Sequence, residues 1–257
     1  MKKKSFLALF ISAIFILSAV PVNAQSNEEK LRLWEQELIE RDRLLSLCPV
    51  HNARLAERDA ELEAFINQGA MQRTGAVFRT INVPIFQQER VYWCGPATAR
   101  QVMHFLTGSA REQAYFTNAL GTRQGIGSDV HDVGTIINRR VSWAGYLNTH
   151  ANRGIEHWAN SIRFSIDRGV PAILTIRTTG VAAFPYNSKG HIVNVSGYEL
   201  PAEGVRDWHP ASWAWIRIAD PHHGVGLGNR WYTAADLFHA HATNRTHTPH
   251  LSGRVSW

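Results

Sequence analysis

Helical and strand patterns are largely separated along this chain, and their order limits the folds that it can adopt. Apolar side chains recur at helical spacing in residues 94–106 and 156–168, whereas β-branched residues concentrate in residues 170–177, 191–198 and 213–219. A doubly wound α/β fold would interleave the two patterns as βαβ units. Because the helices precede the strands, we expect an α+β fold in which N-terminal helices pack on an antiparallel sheet.

The sequence predicts further short strands at 77–84, 141–147 and 230–232. Capping residues predict two further helices, one from a Ser128 or Asp129 N-cap to about Arg139 and a final one capped by Thr233. The tail from His239 to Trp257 is polar and carries no clear periodicity. We predict that this tail is a loop and that its histidines are exposed to solvent, namely His239, His241, His247 and His250.

The composition places the chain among globular proteins. Hydrophobic residues make up 44% of its 257 residues, which is too many for a disordered chain. Two cysteines exclude a multi-disulfide scaffold and a four-cysteine zinc site. The formal net charge of +6 falls to +3 without Lys2, Lys3 and Lys4, and the remaining basic residues are scattered. This pattern argues against nucleic-acid binding, which needs clustered basic residues.

The first 24 residues have the features of a secretory signal peptide. Residues 2–4 are lysines, Phe6 to Val20 is apolar apart from two serines, and Val22-Asn23-Ala24 suits the end of a cleavable leader. An uncleaved anchor is the alternative, but the run is shorter than the about 20 apolar residues that cross a bilayer. We expect cleavage after Ala24 and a mature protein that is periplasmic or secreted, without stable membrane insertion.

A helical segment precedes the main domain. Residues 27–67 are dense in Glu, Arg and Leu, and Pro49 interrupts their helical spacing, which predicts a helical hairpin. The composition changes at residues 68–74, so we divide the mature chain into an arm at 25–73 and a main domain at 74–257. Three interpretations of the arm stay open: a coiled coil that self-associates or binds a partner, a pro-segment, and helices packed on the main domain.

Cys94 begins the segment with the clearest chemical signature, Cys94-Gly95-Pro96-Ala97. A thiol at the start of a helix gains thiolate character, because unpaired N–H groups and the helix dipole favour the anion. Gly95 allows a substrate backbone to approach, and Pro96 suits a first turn, where no N–H partner is needed. Gln88, six residues upstream, can direct its side-chain amide at an oxyanion, with the Cys94 backbone N–H as the second donor.

A nucleophilic thiol also needs a base, and that base needs a residue that orients it. His191 stands at the entrance of a buried strand, and Asp220 stands at the end of the next long strand. In two consecutive antiparallel strands, the start of one lies near the end of the other. We therefore expect His191 and Asp220 to be neighbours on one edge of the sheet, facing the helix that begins at Cys94.

Each of these residues also has a simpler explanation. Cys94 can be an inert buried thiol, His191 a strand-edge histidine and Asp220 a turn residue before proline. Gln88 can be a surface amide whose neighbour Gln87 competes for the same role. Two further alternatives are a metal site at His222 and His223 and a disulfide between Cys48 and Cys94. Gly125 and Gly127 do not form a phosphate loop, because no Lys-Ser/Thr follows them.

Taken together, Gln88, Cys94-Gly95-Pro96-Ala97, Gly190-His191-Ile192-Val193 and Asp220-Pro221 resemble the papain-like cysteine peptidases of the bacteriocin-leader (double-glycine) group, in a standalone exported form. The resemblance covers roughly residues 80–240. It implies a papain-like α+β fold, with Cys94 as nucleophile, His191 as general base, Asp220 as the orienting residue and Gln88 in the oxyanion hole. No transporter domain follows within this sequence, which speaks against processing of double-glycine leaders during export.

Two functions of different classes follow. The first is an exported thiol hydrolase that cleaves peptide or other amide bonds and requires no metal and no cofactor, with a peptide or protein as its substrate. The second is a secreted interaction module that binds through residues 27–67 and carries a vestigial papain-like body. A sulfur-to-nitrogen distance between Cys94 and His191 beyond about 4–5 Å would favour the second.

Overall fold

The structure is a computed structural model that describes residues 27–72, 76–150, 153–201, 214–224, 228–244 and 253–257. The predicted signal peptide at residues 1–24 lies outside the described residues, as do His247 and His250. No helix in the described ranges combines the length and the apolar character that a membrane crossing requires.

Seven helices and seven strands make up the described part of the chain. The helices are α1 Asn27–Ser46, α2 Pro49–Gln72, α3 Cys94–Thr107, α4 Gln113–Ala119, α5 Val130–Arg140, α6 Gly154–Asp167 and α7 Ala234–Ala242. The strands are β1 Ala76–Thr80, β2 Asn148–His150, β3 Ile173–Ile176, β4 His191–Pro201, β5 Trp215–Ala219, β6 Asn229–Thr233 and β7 Arg254–Ser256.

The strands form one sheet in which every pairing is antiparallel among the residues that the structure describes. The order is β2-β7-β3-β4-β5-β6, and β1 pairs with the second half of β4. Most helices precede the long strands along the chain, so the expected α+β class is confirmed. The long strand β4 is buried along nearly its whole length, which makes it the central support of the domain.

Hydrophobic clusters cover both faces of the sheet. One cluster joins Ile192 and Ile173 of the sheet to α3, α4 and α5. The other joins Val193 and Val195 to α6 and α7. Because side chains alternate between the faces of a strand, one residue of β4 packs on the first helical layer and the next packs on the second. The helix that begins with Cys94 is therefore fixed directly against the strand that begins with His191.

The predicted helical hairpin is present, and it packs on the main domain. Leu62 and Ile66 of α2 are buried in the same cluster as Trp158 and Ile162 of α6. Arg41 of α1 pairs with Asp129 and Asp132 at the start of α5, and Asp59 of α2 accepts two hydrogen bonds from Arg153. Of the three interpretations of the arm, the described contacts match helices packed on the body.

The strand predicted at 141–147 is wrong. Residues Ser142–Ala144 form a 3₁₀ turn, and Gly145 follows in the left-handed region with φ of 64°. The Asn138 side chain then pairs with the backbone N–H and C=O of Tyr146, at 2.8 Å each, in place of a neighbouring strand. The strand β2 begins only at Asn148. The alternation of apolar residues arises from a turn and not from a pleated strand.

The prediction that the tail is a loop is also wrong for residues 239–242 and 254–256, which the structure describes as helix and strand. Helix α7 continues through His239 to Ala242, and β7 enters the interior of the sheet between β2 and β3. His241 is fully buried, and its Nδ1 lies 2.8 Å from the Thr175 carbonyl oxygen. Trp257 is fully buried, and its Nε1 donates to Thr149 Oγ1 at 3.0 Å. Three residues of strand are too few to produce a recognisable alternation in the sequence.

Candidate active site

Cys94 occupies the first position of α3. Trp93 precedes the helix with non-helical backbone angles and offers no side-chain hydrogen bond to the first turn. The Cys94 and Gly95 N–H groups are therefore among the first-turn donors that have no carbonyl partner within the helix. Pro96 carries no N–H and fits this turn without loss. The local sequence thus directs free donors and the positive end of the helix dipole at the thiol.

Gly95 is required by a close approach from another loop. A Cβ atom at this position would lie 2.5 Å from Ser128 Oγ and 2.6 Å from Ser128 Cβ. Ser128 is buried and shares a 2.7 Å hydrogen bond with Thr122 Oγ1, so it cannot easily turn away. The loop that caps α5 therefore packs against the backbone of the residue that follows the thiol. Here the structure adds a reason for glycine, since the sequence argument considered only access of a substrate.

His191 and Asp220 lie side by side, at the ends of two paired strands. His191 is the first residue of β4 and Asp220 directly follows β5, and the antiparallel register places Asn194 opposite Ala219. His191 Nε2 is 2.8 Å from Asp220 Oδ1, and both side chains are buried. The edge of the sheet where they meet faces the start of α3.

Asp220 is a buried carboxylate with several donors. Besides His191, the His222 backbone N–H donates to Oδ1 at 2.8 Å and the Tyr186 hydroxyl donates to Oδ2 at 2.6 Å. Burial raises the pKa of Asp220, but the His191 charge and these hydrogen bonds outweigh that effect and hold the pKa below its ordinary value. The side chain is therefore an ionised acceptor at neutral pH.

The thiol of Cys94 and the imidazole of His191 interact and shift each other's pKa. Because Asp220 engages Nε2, the remaining ring nitrogen, Nδ1, is the one that faces the thiol. Burial raises the pKa of Cys94, but the hydrogen bond and charge of His191, with backbone hydrogen bonds from Ile192 and Gly95, bring the pKa below its ordinary value. Burial lowers the pKa of His191, and Asp220 and Cys94 raise it to about 10. Both shifts favour a thiolate–imidazolium pair.

Gln88 is held beside this pair by its backbone and by its side chain. Its backbone N–H donates to the carbonyl of Pro221, the residue after Asp220, at 2.7 Å. Its Nε2 donates to the Arg90 carbonyl at 3.0 Å, which leaves the second proton of the amide available. Gln88 is buried, whereas its neighbour Gln87 is exposed. Of the two glutamines, the structure therefore brings Gln88 into the site.

Two residues that the sequence analysis missed support this arrangement. Gln113 of α4 donates to the Gln87 carbonyl at 2.6 Å and accepts from the Glu89 N–H at 3.1 Å, so it holds the backbone on both sides of Gln88. Tyr186 reaches Asp220 from the loop between β3 and β4. Neither residue belongs to a motif, and no spacing in the sequence singles out either of them.

The described residues contain no group of three or more His, Cys, Asp or Glu side chains arranged to hold a metal ion. His222 instead stacks on Tyr186 with ring centroids 4.0 Å apart, and its Nδ1 accepts from the Gly224 N–H at 3.0 Å. Cys48 and Cys94 are both free thiols.

Comparisons with known proteins place this site in a family. Residues 80–244, which include Gln88, Cys94, His191 and Asp220, match the model of the Peptidase_C39 like family. Among solved structures, the chain is similar to the peptidase domain of Streptococcus ComA, a bi-functional ABC transporter involved in a quorum-sensing pathway. That match has 14% sequence identity and a TM-score of 0.42, and it covers 68% of this chain and 97% of the ComA chain.

A comparison with curated proteins gave no significant match. The family match spans well over half of the chain and confirms the resemblance that the four motifs suggested. The fold is papain-like α+β, with the helix that begins at Cys94 packed on an antiparallel sheet. This chain belongs to the Peptidase_C39 like family, a family of cysteine peptidases.

Proposed function

We propose that this protein is an exported thiol hydrolase that cleaves peptide bonds. Cys94 is the nucleophile, His191 the general acid and base, Asp220 the residue that orients His191, and Gln88 a donor of the oxyanion hole. The observation that carries this proposal is the 2.8 Å pair of His191 Nε2 with Asp220 Oδ1, which meets the Cys94 thiol at the first turn of a helix. This geometry does not favour a vestigial body that serves only as a scaffold.

The first half of the reaction forms a covalent intermediate. The Cys94 thiolate attacks the carbonyl carbon of the peptide bond, and the electron pair of the C=O bond moves to its oxygen. As the tetrahedral intermediate collapses, the C–N bond breaks and His191 donates its Nδ1 proton to the leaving amine. The products of this half are a free amine and a thioester between the acyl group and Cys94.

The second half releases the acyl group. Neutral His191 takes a proton from water, and the resulting hydroxide attacks the thioester carbon. The C–S bond then breaks, so Cys94 leaves as a thiolate beside the restored imidazolium. Asp220 accepts a hydrogen bond from Nε2 in both halves, which keeps Nδ1 directed at the reacting atoms.

The oxyanion is stabilised by two donors of different origin. The Cys94 backbone N–H is unpaired within the first turn of α3, and the Gln88 amide has one proton free after its bond to the Arg90 carbonyl. Donors fixed before the reaction stabilise the developing charge without reorganisation, and removal of one such donor costs roughly 10²–10³ in kcat. The anchoring of Gln88 to Pro221 and Arg90 provides this fixation.

Export and domain organisation are part of the same proposal. The leader of residues 1–24 is removed, and the mature protein acts in the periplasm or outside the cell on a peptide or protein. The hairpin of residues 27–72 stays with the main domain, because its buried side chains contribute to the cluster that supports β4. It acts as a structural part of the enzyme and not as a detachable partner-binding arm.

Cleavage-site profiling tests the proposal. Purified wild-type protein and Cys94→Ala are incubated with a peptide library, and the new N-termini are identified by mass spectrometry. We expect a reproducible set of cleavage sites with the wild type and none with the variant. A Cys48→Ala variant, which removes the other thiol, should retain all cleavage sites. Equal cleavage by wild type and Cys94→Ala, or no cleavage by either, would overturn the assignment.

A further inference from the structure

Tyr186 lies in the loop of residues 177–190, which connects β3 to the catalytic strand β4. The fully buried Thr178 donates from Oγ1 to the Tyr186 carbonyl at 2.8 Å and accepts from the Ser188 N–H at 2.8 Å. Phe184, two residues before Tyr186, stacks on Tyr232 of β6 with ring centroids 4.3 Å apart. The loop is therefore anchored on both sides of Tyr186, and its backbone position is well defined.

The hydroxyl of Tyr186 reaches the oxygen of Asp220 that does not face the histidine. It donates to Oδ2 at 2.6 Å, whereas Oδ1 accepts from His191 Nε2 and from the His222 N–H. Asp220 is almost completely buried. A buried carboxylate that loses one of its donors keeps the full cost of desolvation at that oxygen.

The ring of Tyr186 packs beside the same pair. It stacks on the His222 ring at 4.0 Å and meets the His191 ring edge-on at 5.6 Å. The titratable groups that face Asp220 and His191 from the surrounding elements are Cys94 of α3, Tyr186 of the loop, His222 after β5, and Tyr232 of β6. Burial, with the charge of Asp220, raises the pKa of Tyr186, so the hydroxyl stays protonated and remains a donor.

We infer that Tyr186 is a positioning residue of the catalytic site, which fixes the carboxylate of Asp220 so that Oδ1 points at His191. The inference rests on the proposed thiol hydrolase. A carboxylate held at one oxygen alone can rotate about its Cβ–Cγ bond, and each rotation moves the acceptor away from Nε2. With Oδ2 held by Tyr186, the carboxylate plane is set, and His191 keeps Nδ1 directed at Cys94.

The experiment compares two tyrosine-to-phenylalanine substitutions. Tyr186→Phe removes the hydroxyl at the site and keeps the ring contacts. Tyr198→Phe is the matched control, because Tyr198 is also buried and also donates to an aspartate, Asp167 Oδ1, at 2.6 Å, with the site not involved. Both variants lose one hydrogen bond to a charged group, so both should lose comparable stability in urea denaturation.

The kinetic result separates a positioning role from a structural one. For Tyr186→Phe we expect kcat to fall about 10- to 100-fold, the range for one hydrogen bond to a charged group, with KM unchanged. We also expect a change in the pH profile of Cys94 alkylation by iodoacetamide. Its acidic limb, where the rate rises as the thiolate forms, should move to higher pH, because a less well placed imidazolium stabilises the thiolate less. Tyr198→Phe should leave kcat, KM and the acidic limb as in the wild type.

A double-mutant cycle adds a second measurement. In an Asp220→Ala background the acceptor is gone, so Tyr186→Phe should not lower the rate of Cys94 alkylation any further. Tyr198→Phe should leave this rate unchanged in either background. Additive effects of Tyr186→Phe and Asp220→Ala, or equal effects of Tyr186→Phe and Tyr198→Phe, would overturn the inference. Failure of the proposed function would give a different result: wild-type Cys94 would not be alkylated at pH values below those at which an ordinary thiol reacts.

Discussion

His191 and Asp220 are 29 positions apart in the chain, yet Nε2 of the first lies 2.8 Å from Oδ1 of the second. The pairing of β4 with β5 produces this contact, because one residue opens its strand and the other follows the end of the neighbouring strand. Hydrogen bonds then tie the strand to the helix that begins at Cys94: Thr98 Oγ1 donates to the Ile192 carbonyl, and Asn194 donates to Gln101 Oε1. The sheet and this helix therefore determine the relative positions of Cys94, His191 and Asp220.

Replacement of the orienting carboxylate should impair chemistry more than binding. For Asp220→Ala we expect kcat to fall by roughly 10²-fold or more, the lower end of what general acid–base catalysis contributes, with little change in KM. Steady-state kinetics on a peptide found by cleavage profiling measures this. Asp167→Ala is a suitable control, since Asp167 accepts from Tyr198 away from the site. A wild-type kcat for Asp220→Ala would exclude a role in orienting His191.

Substitution of the two neighbouring glutamines should have sharply different effects on kcat. Gln88→Ala removes a proposed oxyanion donor, and we expect kcat to fall roughly 10²–10³-fold with KM nearly unchanged. Gln87→Ala removes an exposed side chain and keeps the backbone carbonyl that Gln113 binds, so its kinetics should match the wild type. Comparable losses in the two variants would show that the whole segment, and not the Gln88 amide, is what matters.

A methyl group at Gly95 should disturb the site through Ser128. Gly95→Ala places a Cβ 2.5 Å from Ser128 Oγ, and overpacking of this kind costs about 1–3 kcal/mol. Gly134→Ala is the matched control, because its Cβ would lie 2.8 Å from Ser256 Oγ, at the contact between α5 and β7. We expect both variants to lose stability in urea denaturation, but only Gly95→Ala to lose Cys94 alkylation rate.

A second substitution makes the Gly95 prediction sharper. Ser128→Gly removes both atoms that the new methyl group would meet, so the double variant should recover much of the alkylation rate of Cys94. If the rate stays low in the double variant, the defect comes from the methyl group's effect on a substrate or on the helix, and the Ser128 contact is not its cause.

Much of the fold could be predicted from the sequence, where the signal is local and long. The sequence pattern of helix α3 extends over thirteen residues and that of strand β4 over eight, and their bounds lie close to those expected. Strand β7 could not be predicted, because its three residues are stabilised by pairing with Leu174 and Thr149, which are far away in the chain. The strand predicted at 141–147 was wrong for a related reason, since the Asn138 side chain replaces a strand partner there.

The site shows the same division between local and distant information. Cys94, His191 and Asp220 could be proposed together because each stands at the end of a regular element, where the fold class alone determines their neighbours. Tyr186 and Gln113 could not, because each acts through a long-range hydrogen bond that no spacing along the chain reveals. The arm is an intermediate case: its helices were predictable, but its packing on α6 depends on buried contacts between distant segments.

Burial of the final tryptophan should make the end of the chain essential for stability. Trp257 is fully buried between the helices and the sheet, so Trp257→Ala should lower the free energy of unfolding by about 3–5 kcal/mol. Trp143 is 59% exposed, and Trp143→Ala should change that free energy by less than about 0.5 kcal/mol. Urea denaturation of both variants measures the difference. Equal stability of the two would contradict the placement of β7 inside the sheet.

The pH dependence of Cys94 alkylation tests the central claim most directly. His191 holds the pKa of Cys94 below its ordinary value, while Asp220 and Cys94 hold the pKa of His191 above its own, at about 10. The thiolate should therefore form as pH rises through the lowered Cys94 pKa, and the imidazolium should be lost only as pH rises toward about 10. Iodoacetamide labelling, followed by mass spectrometry of the Cys94 and Cys48 peptides, measures the thiolate at each pH.

We predict that wild-type Cys94 is alkylated at pH values below those at which an ordinary thiol reacts, and that His191→Gln loses this reactivity. The Cys48 peptide should be labelled equally in both proteins and so provides an internal control. Identical pH profiles for Cys94 in the wild type and in His191→Gln would contradict the thiolate–imidazolium pair, and with it the account of this protein as a thiol hydrolase.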